Sequence, residues 1–368
     1  MNILFIINQF SWGGAEKLVY DLSMNIRQSV QAVSIIALYR SNSETEQKMV
    51  ADLKAAGVHV KIIGKRPGKD RLTTIKEIYS YAAREKITII HAHCSVPMFF
   101  GKIVGFIAQI PVVCTIHNTK GYNALQERMT SWMTAKYISI GAAAESYMVD
   151  TLKINPKKIV RIYNAINVKK MESGKSDSAF WEKYGGSSES INLLNVSRVN
   201  EQKNQICLLR AINRCKQNNI SVHLYVLGDY ESDRQTYSKL LDFIQSNGLH
   251  NYVTFLGMHE NVSDFLHNAD CFVMTSWYEG LSVAFLEAVI SGVPIITTDM
   301  PFVQELMGIG DCATVIQQDD DKTLCELIIA KKWKVPSEHT IQEFKNIFAM
   351  EKFVNKHLDL YKFITEQS

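Results

Sequence analysis

Short, nearly all-apolar runs recur along the first half of this chain, at residues 2–8, 32–38, 58–63, 88–91 and 112–116. Between them lie longer stretches in which apolar residues return every three or four positions, at 15–27, 44–55, 72–84 and 96–108. The short runs predict strands buried on both faces, and the longer ones predict amphipathic helices. Regular alternation of the two predicts a parallel sheet covered by helices on both sides. Residues 169–190 are polar and contain Gly185-Gly186, the pattern of a linker with an exposed helix. A second alternation follows, with strands predicted at 191–197, 223–228, 253–256, 271–274 and 293–297. The tail, 341–363, reads as two helical stretches, and the spacing of Phe353, Val354, Leu358 and Tyr361 gives the second an apolar face.

Composition narrows the class. At 368 residues the chain can bury two full-sized cores. With 46% hydrophobic and 21% charged residues it has the profile of a soluble globular protein. No apolar run has the length to cross a bilayer, and residues 1–8 lack the charged start of a signal peptide, so a cytoplasmic protein is expected. The formal net charge of +3 gives no general affinity for polyanions, and no nucleic-acid partner is expected. The seven cysteines form no C-x-x-C pair and read as reduced core residues, with neither a disulfide frame nor a zinc site.

Ligands of parallel sheets bind beyond the carboxyl ends of the strands, so the residues just after each strand carry the chemistry. Trp277 to Ala288 (WYEGLSVAFLEA) runs from a strand through a glycine turn into a helix that stops at Gly292. Ser282 is placed to cap that helix and Gly280 lets a ligand approach the backbone, with Leu281 between them. The unpaired N–H groups of the first turn suit an anion. Glu279 and Glu287 cannot bind a phosphate and instead suit the hydroxyls of a sugar and a ribose; together with the anion site they point to a nucleotide-sugar. Arg198 and Lys203, five positions apart after the strand at 191–197, can converge on a diphosphate. His117 directly follows the strand at 112–116, and His91 and His93 end the strand before it. Gly13-Gly14 follows the first strand without the G-x-G-x-x-G spacing of a dinucleotide site. Residues 62–71 (IIGKRPGKDR) form a basic loop, read as solvated or as drawn to an anionic membrane or a lipid diphosphate; 124–136 has an amphipathic pattern.

Glu279 and Glu287, with seven residues between them, resemble the E-x7-E motif of retaining GT-B glycosyltransferases of family 4. Arg198 and Lys203 resemble that family's R-x4-K pair, Gly13 and Gly14 its glycine pair, and His117 its strand-end histidine. Residues 160–167 are similar to the family's interdomain V-x-x-N-G-I-D, with Ala165 and Asn167 departing from it. The resemblance implies an α/β GT-B fold of two doubly wound Rossmann-like domains facing across a cleft. The domains would be 1–168, with a C-terminal helix at about 351–368 packing back on it, and 169–350. It implies a retaining sugar transfer from a nucleotide-diphosphate donor, UDP foremost, to a glycan or polyprenyl-diphosphate-linked acceptor in bacterial surface polysaccharide synthesis. In that reading His117, Glu279, Arg198 and Lys203 are catalytic. Gly13, Gly14, Gly280, Leu281, Ser282 and Glu287 bind substrate, Met258 meets the nucleobase through its main chain, and residues 299–305 border the sugar. No cofactor and no metal are expected, since no D-x-D follows a strand. Attachment to the cytoplasmic face of the inner membrane is a further expectation. A nucleotide-sugar 2-epimerase of the same fold and a non-catalytic nucleotide-sugar-binding subunit stay open as alternatives.

Overall fold

The structure, a computed structural model, describes residues 1–11 and 14–367. The chain divides into two compact units, Met1–Ala165 with Met350–Ser368, and Ile166–Ala349.

The first unit holds seven parallel strands: β1 (Asn2–Ile7), β2 (Ala32–Ala37), β3 (His59–Ile62), β4 (Ile89–His93), β5 (Val112–Ile116), β6 (Lys136–Ser139) and β7 (Ile159–Arg161). Their order is β3-β2-β1-β4-β5-β6-β7. The chain walks outward from β1 to β3 and then returns to the other side of β1, which makes the β1/β4 junction a topological switch point. All six residues of β1 are buried, as a strand covered by helices on both faces must be. β6 and β7 are absent from the hydrophobic pattern. β6 has only Tyr137 and Ile138 between two polar ends, and the three residues of β7 are half-buried or exposed at the sheet's edge. The amphipathic stretch at 124–136 is a short helix (Ala124–Thr130), a 3-10 turn (Ser131–Met133) and the start of β6.

The C-terminal helix Met350–Glu366 packs with this unit, against the helix Gly14–Ile26, and buries Phe353, Val354, His357, Leu358, Leu360, Tyr361 and Ile364. Under the helix Ser95–Ala108 lies an ion pair: Lys102 Nζ meets Glu127 Oε2 at 2.5 Å, each side chain 1% exposed. Thr130 and Tyr137 add hydrogen bonds to it.

The second unit has six parallel strands: β8 (Ile191–Val196), β9 (Val222–Leu227), β10 (Val253–Gly257), β11 (Cys271–Met274), β12 (Ile295–Thr298) and β13 (Thr314–Ile316), in the order β10-β9-β8-β11-β12-β13. Its first and last residues pair with each other, with Ile166 N donating to Phe348 O at 2.9 Å. Residues 169–190 are not an exposed linker. They carry a 3-10 helix, Phe180–Tyr184, whose Phe180 and Trp181 are buried. Trp181 stacks on Tyr225 at 4.0 Å, and its Nε1 donates to Asn268 O at 2.6 Å. Two aromatic residues in a polar sequence have no period to reveal them, and burial was decided by the partners.

The seven cysteines are free thiols, six of them buried. No helix among the described residues is long and apolar enough to cross a membrane.

Lys102→Met should destabilise the first unit by about 3–5 kcal/mol, because it strands the buried Glu127 carboxylate. Adding Glu127→Leu should recover most of that loss. Denaturant unfolding reads both; a double variant as weak as the single one would assign the cost to packing instead.

Candidate active site

In the second unit, the loop after β8 is held by close backbone contacts. Asn195 Nδ2 donates to Val273 O at 2.7 Å, and Asn195 Oδ1 accepts from Ser197 at 2.6 Å. Gly228 lies against this loop: a Cβ there would come 2.3 Å from Ser197 O, so only glycine fits. A 3-10 turn, Glu201–Lys203, follows, and Asn200 caps it by accepting from Lys203 N. Arg198 is exposed, and among the described residues its guanidinium has no hydrogen-bond or ion-pair partner.

The loop after β11 is laced to that turn. Trp277 N donates to Gln202 O at 2.9 Å, Gln202 Nε2 to Tyr278 O at 2.7 Å, and Thr275 Oγ1 to Asn204 O at 3.0 Å. Gln318 Nε2 donates to Trp277 O from the far side. These contacts bring Lys203 Nζ onto Glu279 as a largely buried ion pair, with side chains 16% and 9% exposed. Ser276 Oγ also donates to the Glu279 carboxylate, at 2.9 Å. The sequence suggested separate duties for Lys203 and Glu279, but in the folded chain they are partners. A lysine has three N–H donors, so Lys203 can hold Glu279 and still offer hydrogens to a phosphate. Gln202, Ser276 and Gln318 were not singled out from the sequence; only the adjacency of Gln202 to Lys203 hinted at one of them.

Beyond Glu279, Gly280, Leu281 and Ser282 are buried and lead into the helix Val283–Ser291. Ser282 caps it, accepting from Phe285 N at 3.3 Å. Glu287 lies half-buried on this helix, one turn beyond Val283. Gly292 ends the helix with φ +71°. Met258 follows β10 and is 52% exposed, two strands from the end of β8. Residues 299–305 follow β12; Asp299 N donates to Ile316 O, and the helix Pro301–Met307 begins there.

In the first unit, Gly13 lies outside the described residues. Gly14 opens the helix Gly14–Ile26, and no atom stands within 4 Å of where its Cβ would be. His117 follows β5 and is half-buried. Its Nε2 is 3.0 Å from His93 Nδ1, and the two rings stack at 5.2 Å. His91 and His93 are both closed into the interior of this unit. His91 is wholly buried, bonded to Tyr361 Oη at 2.6 Å and to Thr115 Oγ1 at 2.7 Å, while His93 is 4% exposed. His93 Nε2 is buried with no partner among the described residues. An orphaned N–H costs more than an orphaned lone pair, so the His93 proton belongs on Nδ1, donating to His117 Nε2. That leaves His117 with its own proton on Nδ1, a donor on its other side.

Burial first, and the repulsion of neighbouring imidazoles second, hold His91 and His93 well below the ordinary histidine range and lower His117 to about 4; burial alone lowers His357 to about 4, against the opposing pull of its hydrogen bond to Phe353 O. Unfolded imidazoles take up protons near pH 6.5. Between there and about 4 the unfolded chain binds more protons at these positions, so stability should fall as pH drops through that window. His357→Gln removes one of these protons, so its thermal midpoint should fall less steeply from pH 6.5 to 4 than that of the wild type. Parallel curves in the melting series would show that His357 does not contribute.

Residues 12–170 match the family Glycosyltransferase Family 4, and residues 190–330 match the family Glycosyl transferases group 1. The chain is 25% identical over 313 residues to the putative glycosyltransferase EpsF of Bacillus subtilis, covering 81% of this chain and 79% of that protein. It is 24% identical over 321 residues to the UDP-Gal:alpha-D-GlcNAc-diphosphoundecaprenol alpha-1,3-galactosyltransferase of Escherichia coli, covering 79% of each. Among solved structures, Anabaena HepE in complex with UDP-glucose aligns with a TM-score of 0.83 at 18% identity, over 98% of this chain and 99% of that one. A glycosyltransferase from Rickettsia africae aligns with a TM-score of 0.84 at 16% identity, over 100% and 99%. With both halves matched in order and the two parallel sheets matching GT-B structures throughout, the chain belongs to the group 1 glycosyltransferases of family 4 and is a glycosyltransferase of GT-B fold.

Proposed function

We propose that the protein moves a sugar, with retention at the anomeric carbon, from a UDP-sugar to a glycan or polyprenyl-diphosphate-linked acceptor in bacterial surface polysaccharide synthesis. The observation that carries this reading is the Lys203–Glu279 pair, which joins the loop after β8 to the glycine turn before a capped helix. Arg198, the free N–H bonds of Lys203 and the backbone N–H groups after Gly280 stabilise the diphosphate as its charge grows on leaving. Glu279, fixed by Lys203 and Ser276, has acceptor capacity left for sugar hydroxyls, and Glu287 takes those of the ribose. His117 offers its Nδ1 hydrogen to the donor sugar. Met258 meets the base through its backbone, and Gly14 leaves room for donor and acceptor, a duty shared by Gly13, which lies outside the described residues. The leaving phosphate takes the acceptor proton on the same face. In this scheme the cations neutralise charge in place of a divalent metal, and no cofactor takes part.

The relatives support the donor and acceptor classes. The Escherichia coli enzyme's name gives UDP-galactose as donor and a diphosphoundecaprenol-linked sugar as acceptor, and Anabaena HepE was solved with UDP-glucose. Contact with the cytoplasmic face of a membrane belongs to the same reading. Phe106, Ile107, Leu125, Met129 and Trp132 are all more than half exposed, and Phe106 packs edge-on against Trp132 at 5.1 Å.

Release of nucleoside diphosphate from UDP-, GDP- and ADP-sugars in EDTA tests the transfer reading. One donor should be consumed, with Lys203→Ala and Glu279→Ala each slowing release at least a hundredfold. Activity restored only by added Mg²⁺ or Mn²⁺ would refute the metal-independent route, and full activity in both variants would refute the site. For the membrane, Met129→Glu with Trp132→Glu should cut co-sedimentation with phosphatidylglycerol vesicles severalfold; unchanged sedimentation would remove that surface from the proposal.

A further inference from the structure

The first three strands of the first unit continue to pair past their ends. Tyr39 N donates to Asn8 O at 2.7 Å and Lys65 N to Leu38 O at 2.8 Å. This sets Gln9, Tyr39, Arg40, Gly64 and Lys65 side by side around an open cleft of about 430 Å³ at the carboxyl ends of β1, β2 and β3.

Lys65 belongs to the loop read from the sequence as solvated or as drawn to an anionic membrane or a lipid diphosphate, yet it is only 7% exposed. Its Nζ donates to Arg66 O at 2.9 Å and lies 5.5 Å from the Tyr39 ring and 5.8 Å from the Phe100 ring. No carboxylate among the described residues forms an ion pair with it. The one acid of the loop, Asp70, is taken by Arg66, whose Nη2 and Nε donate to its two oxygens at 2.7 and 3.0 Å. A buried ammonium compensated only by a carbonyl and two aromatic faces is short of negative charge. Arg40 beside it is exposed and likewise unpaired among the described residues. Gly64, with φ +73° and no atom within 4 Å of where its Cβ would lie, leaves the cleft open beside them.

Among the described residues the cleft is lined by donors and by no carboxylate, which suits an anion and not a cation. A flexible ammonium next to a planar guanidinium fork fits the several oxygens of a phosphate better than one carboxylate. We propose that this cleft is an anion subsite in which Lys65 and Arg40 hold the phosphate or diphosphate group of the acceptor. The assignment of an acceptor rests on the transferase reading above; the anion site itself does not.

Inorganic diphosphate titrated into the full chain by calorimetry tests the subsite. The wild type should show two sites, one of them lost in Lys65→Met/Arg40→Gln and the other in Lys203→Ala. Lys65→Met keeps an apolar stem between the two rings, and the exposed Arg40→Gln alone should weaken the first site about tenfold in a chain that folds normally. Two intact sites in the Lys65/Arg40 double variant would overturn the proposal. Two intact sites in Lys203→Ala would instead count against the donor site. Farnesyl diphosphate bound more tightly than inorganic diphosphate at the Lys65 site would identify a lipid-carried acceptor, and equal affinities a soluble one; either supports the subsite. A double variant that loses binding to phosphatidylglycerol vesicles while keeping both diphosphate sites would assign these cations to the membrane surface and overturn it.

Discussion

In a parallel sheet every strand delivers its carboxyl end to the same edge, and the buried backbone must stay hydrogen-bonded up to that edge. Both halves of this protein are organised by that constraint. In the second unit β8 and β11 are neighbours although Lys203 and Glu279 lie 76 positions apart in sequence. Loops leaving adjacent strand ends must find partners for their own polar groups, and these two find each other through Gln202, Thr275, Ser276 and Trp277. The ion pair is therefore a product of strand order. In the first unit the same rule aligns the residues after β1, β2 and β3 into the cleft around Lys65.

The molecule handles buried charge in three different ways, each with its own consequence. Lys102 and Glu127 neutralise each other under a helix, with added hydrogen bonds from Tyr137 and Thr130, and serve packing. Lys203 and Glu279 also pair, but at a strand end where part of each remains accessible, so the pair can meet a ligand without being unmade. The histidines of β4, of the C-terminal helix and just after β5 take the third route and stay neutral, because desolvation outweighs what protonation would gain. A neutral His117 is a hydrogen-bond donor of fixed tautomer, which suits contact with a sugar better than a mobile proton would. Lys65 follows none of these routes fully: its compensation comes from aromatic faces and one carbonyl.

Much of the fold was legible in the chain. The strands at 2–8, 112–116, 191–197 and 271–274 reappear within a residue or two as β1, β5, β8 and β11, because buried parallel strands are apolar along their whole length. Ser282 as a cap and Gly292 as a stop were equally plain, since both act through local backbone geometry. Family membership followed from motifs whose order and spacing survive in the linear chain. Short or edge strands such as β6, β7 and β13 escaped, as did the burial of Phe180 and Trp181. Their identity depends on neighbours that lie far away in sequence.

The sequence by itself thus determined the alternation of strands and helices, the two parallel sheets and the residue types at each strand end. Tertiary structure alone decided who meets whom at those ends. It joined Lys203 to Glu279, closed His91 and His93 into the interior under Tyr361, and drew Lys65 out of solvent between Tyr39 and Phe100. The physical reason is range. Periodicity, capping and turn preference act over one or two turns of chain, whereas the pairing and burial of a charge depend on strand order, which no local pattern encodes.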